Sequence, residues 1–201
     1  MSLGWVDDPE LDAAHARAAV LIGEAEQLAP GPGLAAALVR LQGLVMDCST
    51  AVRTTVLWDR LTAWTQAQAM ISATEAVTAA DLPVFLEGED TARLVGQELA
   101  VRTATSYGTQ SRRLALVDQV ARELPAAWVA LDRGALSLAH VSRLAGELRS
   151  CPPGLAGQVD GRLVPQAVEH GWTPAQLARA ARRELIAADP AGAADRAETA
   201  K

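Results

Sequence analysis

From residue 34 to residue 80 the chain contains no proline, and its apolar residues recur at the three- and four-residue spacing of a helix. These apolar positions are Leu34, Leu38, Leu41, Val45, Cys48 and Val52, then Val56, Leu57, Leu61, Trp64, Ala67 and Ile71. The phase shifts near Thr54 and Thr55, which predicts either a bend or two helices in one line. A helix of this length buries one apolar stripe against partner helices, and here the stripe could equally serve a homodimer.

The composition points to an all-helical fold. Half of the residues are apolar, but most of these are Ala, Leu and Val, and the aromatic residues are only Phe85, Tyr107 and five Trp. Ala and Leu are strong helix formers, whereas the aromatic residues that strands favour are scarce. We therefore expect long N-terminal helices, followed by a compact bundle of five or six short ones.

Capping residues and prolines divide the chain further. Asp8 and Pro9 predict a helix start, and residues 30–33 end that helix after about residue 29. A break is expected at 82–88, followed by helices over 90–102, 109–124, 125–133, 138–149, 155–170 and 174–188. The resulting domain prediction is an N-terminal helix and linker at 1–33, a helical domain at 34–190 and a flexible tail at 191–201.

Charge is unevenly distributed. The net charge is −6, but residues 1–91 carry four Arg against thirteen acidic residues, whereas residues 92–183 carry twelve Arg against seven. A basic block in an acidic protein is a candidate nucleic-acid surface. The alternative is that Arg is simply the preferred cation, because Lys201 is the only lysine.

The sequence lacks the residue patterns that metal-binding, secreted or membrane-spanning proteins require. Cys48 and Cys151 are far apart and have no His or Cys at metal-ligand spacing, so we expect idle thiols, no metal and no cofactor. The first eleven residues include three carboxylates, unlike a secretion signal, and no stretch has the apolar length of a membrane span. We expect a cytoplasmic protein without membrane contact.

Residues 97–114, within a segment at about 92–150, fit a helix-turn-helix pattern. Ala100 falls at the helix crossing, Ser106 at the cap of the second helix and Leu114 at its apolar anchor. Arg112 and Arg113 fall where side chains reach phosphates or base edges. The pattern departs from the usual form at three positions: Ala104 replaces the usual turn glycine, and Thr103 and Gln110 replace apolar residues.

Two family resemblances extend this segment. Leu124-Pro125, Leu131, Arg133-Gly134, Leu136-Ser137, His140 and Leu144 resemble the region after the helix-turn-helix in ParB-type partition proteins. A longer ordered set resembles the actinobacterial 13E12-repeat family, or domain of unknown function 222, over about residues 35–190. That set is Glu98-Leu99-Ala100, Ser111-Arg112-Arg113-Leu114, Glu123-Leu124-Pro125, Leu131, Gly134, Leu136-Ser137-Leu138-Ala139-His140 and Trp172-Thr173-Pro174-Ala175-Gln176-Leu177.

The second resemblance implies a DNA-linked role, because this helical domain usually precedes an HNH endonuclease domain. An HNH site needs a general-base His with further His or Asn around a metal. The chain has no Asn, and His15, His140 and His170 fall on three different predicted helices. We therefore expect no catalytic residues and no enzyme activity in this chain.

The sequence thus predicts a non-catalytic DNA-binding or targeting module of an HNH-endonuclease-type protein, acting on double-stranded DNA. The candidate DNA-binding residues are Arg102, Tyr107, Gln110, Arg112, Arg113, His140, Arg179, Arg182 and Arg183. For His140 the competing interpretation is a hydrogen bond that fixes two helices together.

Two other interpretations remain open. The chain could be a protein-interaction scaffold that dimerises through its long N-terminal helices, in which case Glu at Leu38 and Leu41 should dissociate the dimer. It could also be the N-terminal part of a longer nuclease, which the DNA downstream of the codon for Lys201 would show.

Overall fold

The computed structural model describes residues 8–80, 91–149, 151–152, 154–188 and 190. Within these ranges the chain forms nine α-helices and no strand, which confirms the all-helical prediction. The helices are α1 (Pro9–Glu26), α2 (Pro32–Leu41), α3 (Cys48–Ala80), α4 (Thr91–Arg102), α5 (Tyr107–Glu123), α6 (Pro125–Asp132), α7 (Leu138–Leu148), α8 (Leu155–Glu169) and α9 (Pro174–Ala188). The break predicted at 82–88 and the tail predicted at 191–201 lie outside the described residues.

Two helix starts follow directly from their capping residues. The Asp8 carboxylate accepts hydrogen bonds from the backbone N–H groups of Glu10 and Leu11, at 3.0 and 3.3 Å, with Pro9 at the first helical position. At α9 the Thr173 hydroxyl accepts from the Gln176 N–H at 3.3 Å, and the Gln176 side chain accepts from the Thr173 N–H at 2.7 Å. Each cap satisfies N–H groups that have no partner inside the helix.

The interruption in the proline-free stretch is not where the phase shift placed it. Helix α3 runs without a break through Thr54 and Thr55, and the chain leaves helical conformation at 42–47 instead. Asp47 then starts α3, since its carboxylate accepts from the Thr50 N–H at 2.7 Å. The prediction of two helices in one line broken near Thr54 is therefore wrong.

The phase shift reflects a change of partner along one continuous helix. In its first half α3 buries Leu57 and Leu61 in a small core with α1 and α2. In its second half it buries Ala63, Ala67 and Met70 in the main core of the bundle. At 100° per residue, the buried positions of the second half lie on average about 130° around α3 from Leu57 and Leu61.

The small core holds α1, α2 and the start of α3 together. Ile22, Leu34 and Leu38 are fully buried in it, and Leu41 is 1% exposed. Leu38 and Leu41 therefore face inward within one chain, so they are not available to a dimer interface. Glu at these positions would place charges in a core and unfold the small bundle rather than dissociate a dimer.

The turn between α6 and α7 approaches the backbone of α3 closely. Gly134, in the turn between α6 and α7, has φ +65°, and a Cβ built there would lie 2.7 Å from the Arg60 carbonyl oxygen of α3. Only glycine fits this contact. The Arg60 guanidinium in turn donates to the carbonyl oxygens of Glu26 and Leu28 at the end of α1.

The main core is formed by the second half of α3 and by α5–α9. Its fully buried side chains include Leu124, Leu131, Leu144, Leu148 and Leu177. Burying a leucine contributes roughly 1.5–3 kcal/mol, so this cluster dominates the stability of the bundle. Among the described helices, none has both the length and the apolar character that crossing a membrane requires.

Candidate nucleic-acid interface

Helices α4 and α5 pack against each other across a four-residue turn, residues 103–106. The turn begins with two reverse hydrogen bonds: the Thr105 N–H donates to the Ala100 carbonyl at 3.0 Å, and the Ala104 N–H donates to the Val101 carbonyl at 3.3 Å. This is the Schellman arrangement, which places Ala104 where glycine is usual. Ala104 has φ +51° and is the only non-glycine residue with positive φ in the described part of the chain.

The other end of the turn is a helix cap. Ser106 is extended, and its hydroxyl accepts from the Thr109 N–H at 3.1 Å, which satisfies one of the unpaired donors at the start of α5. The same hydroxyl is 2.9 Å from the Thr109 hydroxyl. Sequence reasoning placed the cap at Ser106 but began the helix at 109, two residues after its actual first residue, Tyr107.

The crossing of α4 and α5 is close because small residues lie at it. Gly96 and Ala100 are the buried residues of α4. A Cβ at Gly96 would lie 3.3 Å from the Tyr107 ring and 3.5 Å from a methyl group of Leu114. Tyr107, a candidate DNA contact, therefore packs its ring on α4 while remaining 43% exposed.

The polar departures from the helix-turn-helix pattern form one hydrogen-bonded group. The Gln110 side chain is 4% exposed, and its Nε2 donates to the hydroxyls of Thr103 and Thr105 at 3.0 and 2.9 Å. Thr103 also donates to the Leu99 carbonyl at 2.6 Å, while Gln110 Oε1 is buried without a partner. The Gln110 amide thus lies inside the turn and is not part of the exposed surface.

The three arginines expected around this turn differ in their surroundings. Arg102 pairs with Glu98 one turn earlier, at 2.5 Å, with both side chains largely exposed. Arg113 is half-buried, and its guanidinium donates to the Ala69 carbonyl of α3 at 3.2 Å. Arg112 is exposed and makes no hydrogen bond or ion pair with another described residue. Arg112 is therefore the guanidinium most available to a ligand here.

His140 links the start of α7 to the loop before α9. Its Nε2 is 2.8 Å from the Trp172 carbonyl oxygen, and its Nδ1 is 3.3 Å from the Ser137 N–H and 2.8 Å from the Ser137 hydroxyl. A neutral ring that donates from Nε2 and accepts at Nδ1 satisfies all three contacts. The arrangement matches the helix-fixing interpretation, since both ring nitrogens are already engaged.

The candidate arginines of α9 also divide into two kinds. Arg182 forms a two-bond ion pair with Glu147 of α7, at 3.0 and 2.8 Å. Arg179 and Arg183 are exposed and have no hydrogen-bonding or ionic partner among the described residues. Helix α9 does not pack appreciably on α4 or α5 in the described structure; its neighbours are α7 and α8.

Sequence reasoning missed one ionisable residue, Asp160 of α8. It is fully buried, and its carboxylate accepts from the backbone N–H groups of Ala126 and Ala127, at 2.7 and 3.0 Å. Burial raises the pKa of Asp160 above its ordinary value, although the two backbone N–H groups act in the opposite direction. Asp160 caps the start of α6. Apolar residues recur at helical spacing on both sides of it in α8, and this pattern could have indicated that Asp160 is buried.

The described residues contain no group of three or more His, Cys, Asp or Glu side chains that could hold a metal ion. The chain matches no family model, no curated protein and no solved structure. The resemblance to the 13E12-repeat family therefore depends on the sequence motifs quoted above.

Proposed function

We propose that this chain is a non-catalytic module that binds double-stranded DNA, with the start of α5 as its contact surface. The observation that carries the proposal is the geometry of the α4–α5 turn. Ala104, in the left-handed conformation, ends α4 and the Ser106 cap begins α5, whose first turns are exposed and carry Arg112. A short turn between two tightly crossed helices is how helix-turn-helix proteins present their second helix to the major groove.

The chemistry at this end of α5 suits a phosphate or a base edge. The first N–H groups of a helix attract anions, and the hydroxyls of Ser106 and Thr109, both exposed residues, lie beside them. Arg112 adds a guanidinium that has no competing partner among the described residues. In the family that the sequence resembles, this helical domain usually precedes an HNH nuclease domain, and the module would target such a domain to DNA.

The test is fluorescence anisotropy of the full chain with duplex DNA over a range of salt concentrations. We expect binding at low salt, and Arg112→Gln should reduce the slope of log affinity against log salt by about one if Arg112 contacts a phosphate. Contact with a base edge should instead cost about 1–3 kcal/mol on some sequences and not on others. Arg113 is left intact because it also holds α3.

The matched control is Arg40→Gln, which removes from α2 one exposed arginine that has no partner among the described residues. It changes the net charge equally but lies outside the proposed surface, so its salt slope should equal that of the unmodified chain. The proposal fails if the chain binds no duplex at low salt, or if both variants behave alike.

A second candidate function, a self-association scaffold, is favoured by one observation. Four exposed valines lie on α2, the α2–α3 loop and the start of α3, each more than half exposed: Val39, Val45, Val52 and Val56. Exposed apolar groups of this kind mark many protein interfaces. If they join two copies, Val52→Glu with Val56→Glu should convert a dimer to a folded monomer in sedimentation; a monomeric unmodified chain would exclude this candidate.

A further inference from the structure

Helices α7 and α9 lie side by side and run in the same direction. Near their starts, His140 of α7 contacts the Trp172 carbonyl, two residues before α9 begins. Farther along both helices, Glu147 of α7 binds Arg182 of α9. These two helices form the most extensive packing between any two elements of the described structure.

Their outer face carries four arginines and a single carboxylate. Arg179 and Arg183 are one turn apart on α9, on the side opposite the buried Leu177 and Ala181. Arg143 is exposed on α7, one turn before Glu147. Because Glu147 binds Arg182, Arg143 and Arg179 lie at the same level of the two parallel helices.

Three of these arginines have no partner among the described residues. Arg143, Arg179 and Arg183 make no hydrogen bond or ion pair with another described residue, and Arg182 keeps about two thirds of its side chain exposed beside Glu147. Like charges one turn apart, as at Arg179 and Arg183, destabilise a helix on their own. An anionic ligand would remove that repulsion. We call this surface, made of Arg143, Arg179, Arg182 and Arg183, the α7–α9 arginine face.

We infer that the α7–α9 arginine face binds the phosphate backbone of double-stranded DNA, independently of base sequence. This inference rests on the proposed function and adds a second contact surface, on helices other than α4 and α5. Guanidinium groups bind phosphate oxygens in pairs of hydrogen bonds, and a row of them along parallel helices suits an extended polyanion. An acidic protein partner would call for apolar anchors, and Ile186 is the only large apolar side chain exposed on α9.

The experiment compares three variants of the full chain in the same salt titration. The first is Arg179→Gln with Arg183→Gln, the second is Arg112→Gln, and the control is Arg17→Gln with Arg40→Gln. The control removes two exposed arginines that have no partner in the described structure, so it matches the first variant in charge.

For the α9 variant we expect the salt slope to fall by about two, with binding near 0.1 M salt weakened by roughly tens of fold. The loss should be the same on unrelated duplex sequences, because phosphates carry no base information. The control should keep the slope of the unmodified chain. Circular dichroism should show equal helix content in all variants, since the substituted side chains are exposed.

The outcomes separate this inference from the proposed function. If Arg112→Gln weakens binding but the α9 variant matches the control, the inference is overturned and the α5 proposal survives. If only the α9 variant weakens binding, the inference is supported and the α5 proposal fails. A chain that binds no duplex overturns both. If the α9 variant instead alters self-association in sedimentation, the face contacts a second copy and the inference is again overturned.

Discussion

Ala104 occupies a left-handed backbone conformation that residues other than glycine rarely adopt. The described chain has three helix ends with the same reverse hydrogen bond across five residues, after α4, α6 and α8. The left-handed position is Gly134 in the second, Gly171 in the third and Ala104 in the first. An alanine there costs about 1–2 kcal/mol of strain, so the α4–α5 turn carries strain that the other two turns avoid.

Ala104→Gly should therefore raise the free energy of unfolding, by about 0.5–1 kcal/mol after the greater flexibility of unfolded glycine is included. Ala115→Gly, at an exposed position inside α5, is the control and should lower stability by up to about 1 kcal/mol. Urea denaturation followed by circular dichroism measures both. Equal losses in the two variants would contradict the assignment of strain to Ala104.

Gln110 makes two hydrogen bonds through Nε2 but leaves Oε1 buried and unpaired. A buried unsatisfied carbonyl costs about 1–3 kcal/mol, which offsets much of what the two hydrogen bonds contribute. Gln110→Leu should therefore change the free energy of unfolding by less than about 1 kcal/mol. Gln110→Ala, which leaves a cavity, should lower it by at least about 2 kcal/mol.

The two Gln110 variants also test whether this side chain contacts DNA. Because the amide lies inside the turn, Gln110→Leu should leave DNA affinity as it is in the unmodified chain, unlike Arg112→Gln. Urea denaturation measures the stability of each variant, and fluorescence anisotropy on the same samples measures its affinity for DNA. A large loss of affinity with unchanged stability would mean that Gln110 reaches the ligand after all.

At the scale of elements, the turn between α6 and α7 is fixed by what it packs against. Gly134 and Gly171 are both left-handed residues just past a helix end, but their surroundings differ. A Cβ at Gly134 would meet the backbone of Arg60, whereas a Cβ at Gly171 would meet nothing within 4 Å. Substituting alanine at each glycine therefore separates the cost of backbone strain from the cost of crowding against α3.

Gly134→Ala should lower the free energy of unfolding by about 3 kcal/mol, since left-handed strain and overpacking against α3 add together. Gly171→Ala should lower it by about 1–2 kcal/mol, from strain alone. Chemical denaturation of the two variants gives the difference. If the two losses are equal, the contact between the α6–α7 turn and α3 contributes nothing to stability.

At the scale of the whole molecule, stability should depend on pH through carboxylates that act in opposite directions. The pKa of Glu26 is lowered, chiefly by its hydrogen bond from Arg53, and the pKa of Asp47 is lowered by its bonds from Thr50. Each contributes stability above its unfolded pKa that is lost as the pH falls through its folded pKa. Burial raises the pKa of Asp160, so its contribution has the other sign.

Asp160 favours the folded state most when it is protonated, below its ordinary value of 3.8, and this contribution is lost as the pH rises through the raised folded pKa. The stability of the unmodified chain minus that of Asp160→Asn should therefore fall as the pH is raised from 3.8. Urea denaturation at successive pH values measures this difference, in which the effects of Glu26 and Asp47 cancel. A difference that grows with pH would contradict the prediction.

Asp160→Ala separates the hydrogen bonds from the charge. It leaves the buried N–H groups of Ala126 and Ala127 without their acceptor, which should cost about 1–3 kcal/mol at every pH. Its stability should therefore lie below that of Asp160→Asn throughout. If the two variants are equally stable, the cap on α6 contributes nothing.

Local sequence determined most of the helices. The caps at Asp8, Ser106 and Thr173 and the proline at Pro125 act within a few residues of themselves, so the helix starts could be predicted from sequence. Composition determined the fold class for a similar reason, because helix propensity is summed residue by residue. The uneven distribution of charge along the chain was also evident from the sequence, although the sequence could not show which arginines form ion pairs within the protein.

Tertiary structure alone decided the rest, because it depends on contacts between residues far apart in the chain. The phase shift in α3 marks a change of partner, and Leu38 and Leu41 proved to be core residues of one chain. Asp160 is buried because α8 places it at the start of α6. Of the nine candidate contacts, packing engages Arg113, His140, Gln110 and Arg182 within the protein and leaves Arg112, Arg179 and Arg183 exposed and without a partner among the described residues.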